Sequence, residues 1–278
     1  MPLRIKSYLT ITLLLTFTIV LTACGTGTSK NTDALRTNDS PAEQEQVELL
    51  ISAAASLQDA LQEIQTMYEA NHQQIKLTFN YGGSGALQQQ IEQGAPADLF
   101  ISAASKHIQA LVNKQLIDEQ QQRDLLANEL VVVVPADSKL PLHTIEDLRS
   151  AALDKMAVGI PETVPAGAYA KQALMKHQLW EPLVLKIVQA KDVRQVLQYT
   201  ETGNVGVGFV YKTDAMTSDK VKIAFTIDTA DHDAIIYPMG IVKATKHMKE
   251  TEELYNFLQS SEVMDVFAKY GFSAPPAL

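Results

Sequence analysis

Residues 47–68 read VELLISAAASLQDALQEIQTMY, and this stretch determines the class of fold. Val47–Ala53 is a continuous apolar run, as expected of a strand buried in a parallel sheet. Ser56 follows it and begins a predicted helix, with residues 56–59 as a capping box. The helix has one apolar face, formed by Leu57, Leu61, Ile64 and Tyr68. A buried strand that turns through small residues into an amphipathic helix predicts an α/β fold.

The rest of the chain repeats this alternation of apolar runs and helical patterns. Further strands are predicted at residues 75–80, 99–103, 130–134, 156–160, 184–188, 205–210, 221–227 and 235–242. Later helices are predicted to begin near Ala166, Val193 and Tyr211. Repeated strand–helix units of this kind predict parallel sheets that are covered by helices on both faces.

Composition and charge exclude several classes of protein. The chain has 278 residues, which fits about two domains, and a formal net charge of −9. The acidic balance excludes a general nucleic-acid binder, because such a protein needs a basic face. It leaves a small anion as a ligand, because helix dipoles act locally. Cys24 is the single cysteine, which excludes an intrachain disulfide and a cysteine-cluster zinc site.

The N-terminal region has the pattern of an export signal followed by a tether. Two basic residues precede the apolar run 8–21, which is too short to span a membrane. Residues 21–25, LTACG, resemble the lipobox of bacterial lipoproteins, which implies removal of residues 1–23 and lipid attachment to Cys24. An ordinary signal peptide that ends by chance in cysteine is the alternative. Residues 24–46 are polar and predict a flexible tether, so we expect a domain anchored at the extracytoplasmic face of the cell membrane.

Several predicted helices begin in loops of small and hydroxyl-bearing residues. A helix N-terminus has unpaired N–H groups and a partial positive charge, and ligands of open α/β sheets bind beyond the carboxyl ends of strands. Each such loop alone is more simply a helix cap or a turn. Taken together, the loops favour an oxyanion pocket; they are residues 55–56, 83–85, 164–167, 192–194 and 210–211.

A set of short motifs occurs in one order along the chain: AAASL at 53–57, GAPADLF at 94–100, LVVV at 130–133, PETVPAG at 161–167, DVR at 192–194, VY at 210–211 and KYGF at 269–272. With these motifs the chain resembles the molybdate-binding proteins of bacterial ABC importers, over residues 47 to about 273. The resemblance implies the two-lobe, type II fold of periplasmic binding proteins, with the ligand cleft between the lobes. The first lobe would comprise residues 47–129 plus 237–278, and the second lobe residues 130–236.

The resemblance also implies which residues hold the ligand. Two serine hydroxyls, two main-chain N–H groups and one phenol would donate to it, from Ser56, Ser84, Ala166, Val193 and Tyr211 respectively. This chain has GGSG at residues 82–85, where many relatives have a serine-rich run. Only Ser84 keeps a hydroxyl there, and a contribution from the N–H of Gly83 or Gly85 is left open.

These features predict a protein that captures molybdate, and also tungstate, and delivers it to the membrane permease of an ABC importer. A pocket of N–H and O–H donors suits a fully deprotonated dianion, whereas a phosphate that carries a proton needs an acceptor. Sulfate is also a fully deprotonated dianion and suits the same donors. A receptor for another small oxyanion such as sulfate is therefore an alternative. We expect a monomer with no cofactor, no site for a bare metal ion, no nucleic-acid partner and no catalytic residue.

The alternative from a different class is a secreted serine hydrolase with Ser84 or Ser56 as nucleophile. The sequence GGSGA at 82–86 lacks the final glycine of the G-x-S-x-G nucleophile elbow. The six histidines are scattered and no HExxH motif occurs in the sequence. The glycines of residues 203–208 lead into a predicted strand and not a helix, unlike a dinucleotide fingerprint. We therefore expect a binding protein and not an enzyme.

Overall fold

The computed structural model describes residues 46–150 and 152–276. The predicted leader 1–23, the lipidation residue Cys24 and the tether up to residue 45 lie outside the described residues. Within the described ranges, no helix is both long and apolar enough to cross a membrane.

The described strands and helices alternate along the chain. The strands are β1 (Val47–Ala54), β2 (Ile75–Gly82), β3 (Leu99–Ile101), β4 (Ile117–Ala127), β5 (Leu130–Pro135), β6 (Met156–Gly159), β7 (Ile187–Ala190), β8 (Val207–Tyr211), β9 (Val221–Thr226) and β10 (Ile236–Val242). The α-helices are α1 (Gln58–Asn71), α2 (Ser84–Glu92), α3 (Ser105–Asn113), α4 (Pro165–Lys176), α5 (Trp180–Leu183), α6 (Val193–Glu201), α7 (Lys212–Ala215), α8 (Met248–Phe257) and α9 (Ser261–Lys269). Short 3₁₀ helices occur at Ala55–Leu57, Ile145–Arg149, Val184–Lys186 and Thr229–Asp231.

The strands form two five-stranded sheets, and each sheet is the centre of one lobe of an α/β fold. The first sheet has the order β2-β1-β3-β10-β4 and the second has the order β7-β6-β8-β5-β9. The chain passes between the sheets twice, from β4 to β5 and from β9 to β10. We call the two parts the first lobe and the second lobe.

The expectation of parallel sheets holds for only part of each sheet, because both sheets are mixed. β1 is parallel to β2 and β3, and β6 is parallel to β7 and β8. β10 is antiparallel to both of its neighbours, and so is β5. These two strands are the ones that the chain enters directly from the other sheet. Parallel neighbours need a crossover connection within one sheet, which these two strands do not have.

Two parts of the secondary structure differ from the sequence prediction. β4 was not predicted, because its middle residues 118–124 are polar and mostly exposed, so its composition gives no strand signal. The strand predicted at 184–188 is instead a 3₁₀ helix over Val184–Lys186, and β7 begins at Ile187. Valine and leucine suggested a buried strand there, whereas Leu185 is 97% exposed.

Two of the predicted apolar strands, β1 and β5, are largely buried. Residues 130–134 of β5 are buried, and β1 is buried from Ile51 to its end. The predicted apolar face of α1 is also buried and consists of Leu57, Leu61, Ile64 and Tyr68. Burial of strands on both faces explains why they read as continuous apolar runs.

Candidate functional site

One cavity in the cleft between the lobes is lined by all five residues that the sequence predicts as ligands. Its full lining is Ala54, Ala55, Ser56, Gly82, Gly83, Ser84, Ala103, Val164, Pro165, Ala166, Val193 and Tyr211. In the first sheet, Ser56 follows β1 and Ser84 follows β2. In the second sheet, Ala166 follows β6, Val193 follows β7, and Tyr211 ends β8. The cavity is narrow, because the centre of a water molecule can occupy only about 10 Å³ of it.

The Ser84 hydroxyl is arranged to donate. Ser84 is the first residue of α2 and is fully buried. Its Oγ accepts a hydrogen bond of 2.9 Å from the N–H of Ala103. The N–H can only donate, so the hydroxyl proton of Ser84 is left for another acceptor. An anion in the cavity would supply that acceptor.

Ser56 is buried, and its contacts differ from those predicted. It lies in the 3₁₀ helix Ala55–Leu57, so α1 begins after it and has Leu57 at its N-cap position. The predicted capping box is therefore wrong, and no side chain caps α1. The Ser56 hydroxyl instead lies 2.9 Å from the hydroxyl of Tyr237, which belongs to β10. The tertiary contact has replaced the local cap.

Ala166 and Val193 present main-chain N–H groups from two helix N-termini. Ala166 is the second residue of α4, after Pro165, and Val193 is the first residue of α6. The N–H groups of a first helical turn have no partner within the helix. Asp192 caps α6 by accepting a 2.8 Å hydrogen bond from the N–H of Gln195, which leaves the N–H of Val193 for a ligand. Both N-termini also favour negative charge through the helix dipole.

Tyr211 has a buried hydroxyl with no hydrogen-bond partner in the described part of the chain. It ends β8, is 1% exposed, and its oxygen makes no hydrogen bond to any described residue. Burial raises the pKa of the Tyr211 phenol well above its ordinary value, so the group stays protonated. An unsatisfied buried hydroxyl costs about 1–3 kcal/mol, a cost that a bound acceptor removes. Tyr211 is therefore a donor that lacks an acceptor.

Charged side chains near the cavity are paired with one another. The cavity lining contains no Asp, Glu, Lys or Arg among the described residues. Arg194 follows Val193 and pairs with Asp59 of α1 and with the buried Asp214, whose Oδ1 lies 2.8 Å from its Nε. Burial raises the pKa of Asp214 to about 6, and the Arg194 charge opposes that rise. The Asp59–Arg194 pair joins a helix of the first lobe to a helix of the second.

Gly83 and Gly85 allow the two lobes to approach each other closely. The N–H of Gly85 donates a 2.8 Å hydrogen bond to the carbonyl of Thr163, so it is not directed at a ligand. A Cβ atom on Gly83 would lie 2.8 Å from the Thr163 oxygen and 3.0 Å from the Lys191 oxygen. A Cβ atom on Gly85 would lie 2.8 Å from the Thr163 Cα. Both positions therefore require glycine in this arrangement.

Neither serine has the contacts of a hydrolase nucleophile. The hydroxyls of Ser84 and Ser56 contact Ala103 and Tyr237, and within the described ranges neither is hydrogen-bonded to a histidine. His107 lies near Gly85, but its Nδ1 contacts Gln88 and burial lowers its pKa to about 4. In the described part of the chain, no group of three or more His, Cys, Asp or Glu is placed to hold a metal ion.

The sequence prediction missed three residues of this region. Ala103 could have been found, because the motif ISAA at 51–54 recurs at 101–104 and both copies reach the cavity. Tyr237 contacts Ser56, and Asn128 contacts Tyr237 at 3.2 Å. These two lie far from Ser56 in sequence, and no local motif marks them.

The chain is similar in sequence to known bacterial proteins. The model of the bacterial extracellular solute-binding protein family matches residues 49–273. YvgL of Bacillus subtilis (strain 168), described as a candidate substrate-binding lipoprotein of an ABC transporter, is 53% identical over 231 residues, which cover 83% of this chain and 88% of YvgL. The molybdate-binding protein ModA of Escherichia coli (strain K12) is 37% identical over 81% of this chain and 88% of its own length.

A solved structure is similar to this chain in fold as well as in sequence. The substrate-binding domain of a candidate molybdenum ABC transporter from Clostridium difficile has 42% sequence identity and a TM-score of 0.64. The match covers 83% of this chain and 100% of that domain. On these similarities and on its two-lobe α/β fold, the chain belongs to the family of bacterial extracellular solute-binding proteins, together with the ModA proteins.

Proposed function

We propose that this protein binds molybdate, and equally tungstate, in the cleft between its lobes and performs no chemistry on it. The buried Tyr211 hydroxyl carries the proposal, because it lines the cavity and has no protein partner among the described residues. The other four donors, from Ser56, Ser84, Ala166 and Val193, line the same cavity. The names of the molybdate-binding relatives support the choice of ligand.

The chemistry of the donors supports selection by protonation state. All five groups can give a hydrogen bond to an oxyanion, and the lining includes no carboxylate among the described residues. A dianion without protons accepts at every oxygen, whereas hydrogen phosphate must also donate. Sulfate satisfies the same donors, so we propose that the size of the closed cavity discriminates against it.

We further propose how the protein is placed and used. Residues 1–23 would be a leader, and Cys24 would carry the lipid that holds the protein at the extracytoplasmic face of the membrane. The lobes would comprise 47–129 plus 237–278, and 130–236. The monomer would close over the anion and deliver it to the permease of an ABC importer. The lipoprotein description of YvgL supports the anchor.

Calorimetric titration tests the ligand assignment. The protein without its leader should bind molybdate and tungstate with similar affinity, and phosphate and sulfate far more weakly. Phosphate binding within tenfold of molybdate, about 1.4 kcal/mol, would contradict donor-only selection. Turnover of ester substrates that disappears in Ser84→Ala would instead support the hydrolase.

Replacement of Cys24 tests the anchor. Cys24→Ser should abolish membrane association and leave precursor or release protein into the medium, because serine has no thiol to receive the lipid. Fractionation of cells that express each form measures this. Membrane association that is unchanged in the variant would contradict the anchor.

A further inference from the structure

We propose that Asn128 and Tyr237 orient the Ser56 hydroxyl so that its proton points into the cavity. Ser56 then serves the ligand as a donor and not as an acceptor. This inference rests on the proposed function, since it explains how one of the five donors is held in its donor state. A chain of hydrogen bonds leads from outside the cavity to the Ser56 hydroxyl.

The first link is the side-chain amide of Asn128, which lies where the chain passes from β4 to β5. Its Oδ1 accepts a 2.8 Å hydrogen bond from the N–H of Glu129. Because an N–H can only donate, this contact determines which end of the amide is the oxygen. The Nδ2 then has two protons, which it donates to Thr213 Oγ1 at 2.9 Å and to the Tyr237 hydroxyl at 3.2 Å.

The second link is Tyr237, which is fully buried in β10. Its ring makes edge-on contacts with Tyr211 and Phe272, at centroid distances of 5.7 Å and 5.4 Å, which hold the hydroxyl in place. The Tyr237 oxygen accepts a hydrogen bond from Asn128 Nδ2, so its own proton needs another acceptor. Ser56 Oγ, at 2.9 Å, provides that acceptor.

The third link is Ser56 itself. With the Tyr237 proton directed to it across the 2.9 Å contact, the Ser56 oxygen is the acceptor, and the proton of Ser56 is left for an acceptor in the cavity that this residue lines. The direction of donation thus runs from Asn128 through Tyr237 to Ser56 and ends on the ligand. Burial raises the pKa of the Tyr237 phenol well above its ordinary value, so the middle link keeps its proton. Successive hydrogen bonds of one direction also polarise each other.

The direction of these hydrogen bonds affects the selectivity of the cavity between molybdate and phosphate. A serine hydroxyl that is free to turn can accept a hydrogen bond from hydrogen phosphate, whereas one whose oxygen accepts from Tyr237 presents its proton to the cavity. Tyr237 and Asn128 are therefore positioning residues that act through Ser56. Neither lines the cavity, so neither is placed to contact the anion itself.

A double-mutant cycle tests the proposal. Tyr237→Phe should weaken molybdate binding by about threefold to tenfold, because the Ser56 donor remains but is no longer oriented. Phosphate binding should weaken less or improve, so the ratio of molybdate to phosphate affinity should fall. In the Ser56→Ala background, Tyr237→Phe should have almost no further effect. Calorimetry on each variant of the protein without its leader, at one pH and one salt concentration, measures these affinities.

Matched variants separate orientation from a loss of structure. Tyr68→Phe removes the hydroxyl of another fully buried tyrosine, which is on α1 and has no partner among the described residues, and it should leave binding unchanged. Asn128→Ala removes the first link without altering Tyr237 and should show the same dependence on Ser56. If Tyr237→Phe lowers the melting temperature, the cycle can be measured with Asn128→Ala and Ser56→Ala instead.

The outcomes distinguish this inference from the proposed function. Additive losses in the two cycles, or an unchanged ratio of molybdate to phosphate affinity in Tyr237→Phe, would overturn the orienting role while molybdate binding stands. A wild-type protein that does not bind molybdate would overturn the proposed function, and this inference with it. Coupled losses together with a reduced ratio would establish that the chain acts through Ser56.

Discussion

The two walls of the cavity supply hydrogen-bond donors in different ways. The first lobe contributes the hydroxyls of Ser56 and Ser84, which can rotate. The second lobe contributes the N–H groups of Ala166 and Val193 from helix N-termini, whose direction is determined by the backbone, together with the phenol of Tyr211. The two serine hydroxyls each have a buried partner that orients them, Tyr237 for Ser56 and the N–H of Ala103 for Ser84. Rigid donors need only a correct helix start, whereas rotatable donors depend on distant residues.

A substitution that keeps the two lobes apart should have the largest effect on molybdate affinity. In Gly83→Ala, the added Cβ would lie 2.8 Å and 3.0 Å from the carbonyl oxygens of Thr163 and Lys191, both in the second lobe. The closed arrangement should become rare, and affinity for molybdate should fall by about a hundredfold or more. Calorimetry measures the loss, and Gly206→Ala is the control because its Cβ would meet its nearest atom, a leucine methyl, at 3.4 Å. Affinity in Gly83→Ala within threefold of the wild type would contradict the role of the contact.

Deletion of single hydroxyls should rank next. Ser84→Ala and Tyr211→Phe each remove one donor to a charged oxygen, which is worth about 1.5–3 kcal/mol. Affinity should therefore fall by roughly tenfold to a hundredfold in each variant. Tyr211→Phe should also raise the melting temperature without ligand, because it removes a buried hydroxyl that has no partner in the described residues. An unchanged affinity in Tyr211→Phe would contradict its assignment as a donor.

Val193 should be much less sensitive. Val193→Ala keeps the N–H and the Asp192 cap of α6, so affinity should fall by less than about threefold. Calorimetry at one temperature compares this variant with Ser84→Ala, after the melting temperature of each has been measured. The comparison tests whether Val193 donates through its backbone N–H while Ser84 donates through its side chain. A loss in Val193→Ala as large as that in Ser84→Ala would mean that Val193 acts through its side chain and not only through its N–H.

The smallest effect on binding is expected from pH. The proposed donors are amides, serine hydroxyls and a phenol with a raised pKa, so molybdate affinity should vary little between about pH 6 and pH 8. Stability should vary over the same range, because Asp231 and Glu146 accept hydrogen bonds from His177 and raise its pKa.

The direction of the stability change follows from linkage. A histidine whose pKa is raised by folding stabilises the protein fully below its unfolded pKa, and this contribution is lost as the pH rises through the folded value. The melting temperature should therefore fall between about pH 6 and pH 8, and less so in His177→Gln. A parallel fall in affinity would show that a titrating group lies in the cavity.

Local patterns were enough to predict most of the elements, whereas the five proposed ligand residues came from the resemblance to the molybdate-binding family. Apolar runs predicted the buried strands β1 and β5, because a strand covered on both faces has no polar side. Loops of small residues predicted the starts of α4 and α6, because caps and N-termini depend on neighbouring residues. The polar strand β4 was missed, since it offers no apolar period to detect.

The sequence by itself thus determined an α/β protein whose helices begin in loops of small and hydroxyl-bearing residues. The tertiary structure alone decided how the donors are oriented and how closely the lobes meet. Ser56 was predicted as a helix cap, yet its partner Tyr237 is 181 positions away and becomes a neighbour only when β10 pairs with β3 and β4. Likewise, residue 83 must be glycine only because Thr163 and Lys191 of the other lobe leave no room for a Cβ atom there. Periodicity and capping act over a few residues, whereas hydrogen bonds and steric contacts act between any residues that the fold brings together.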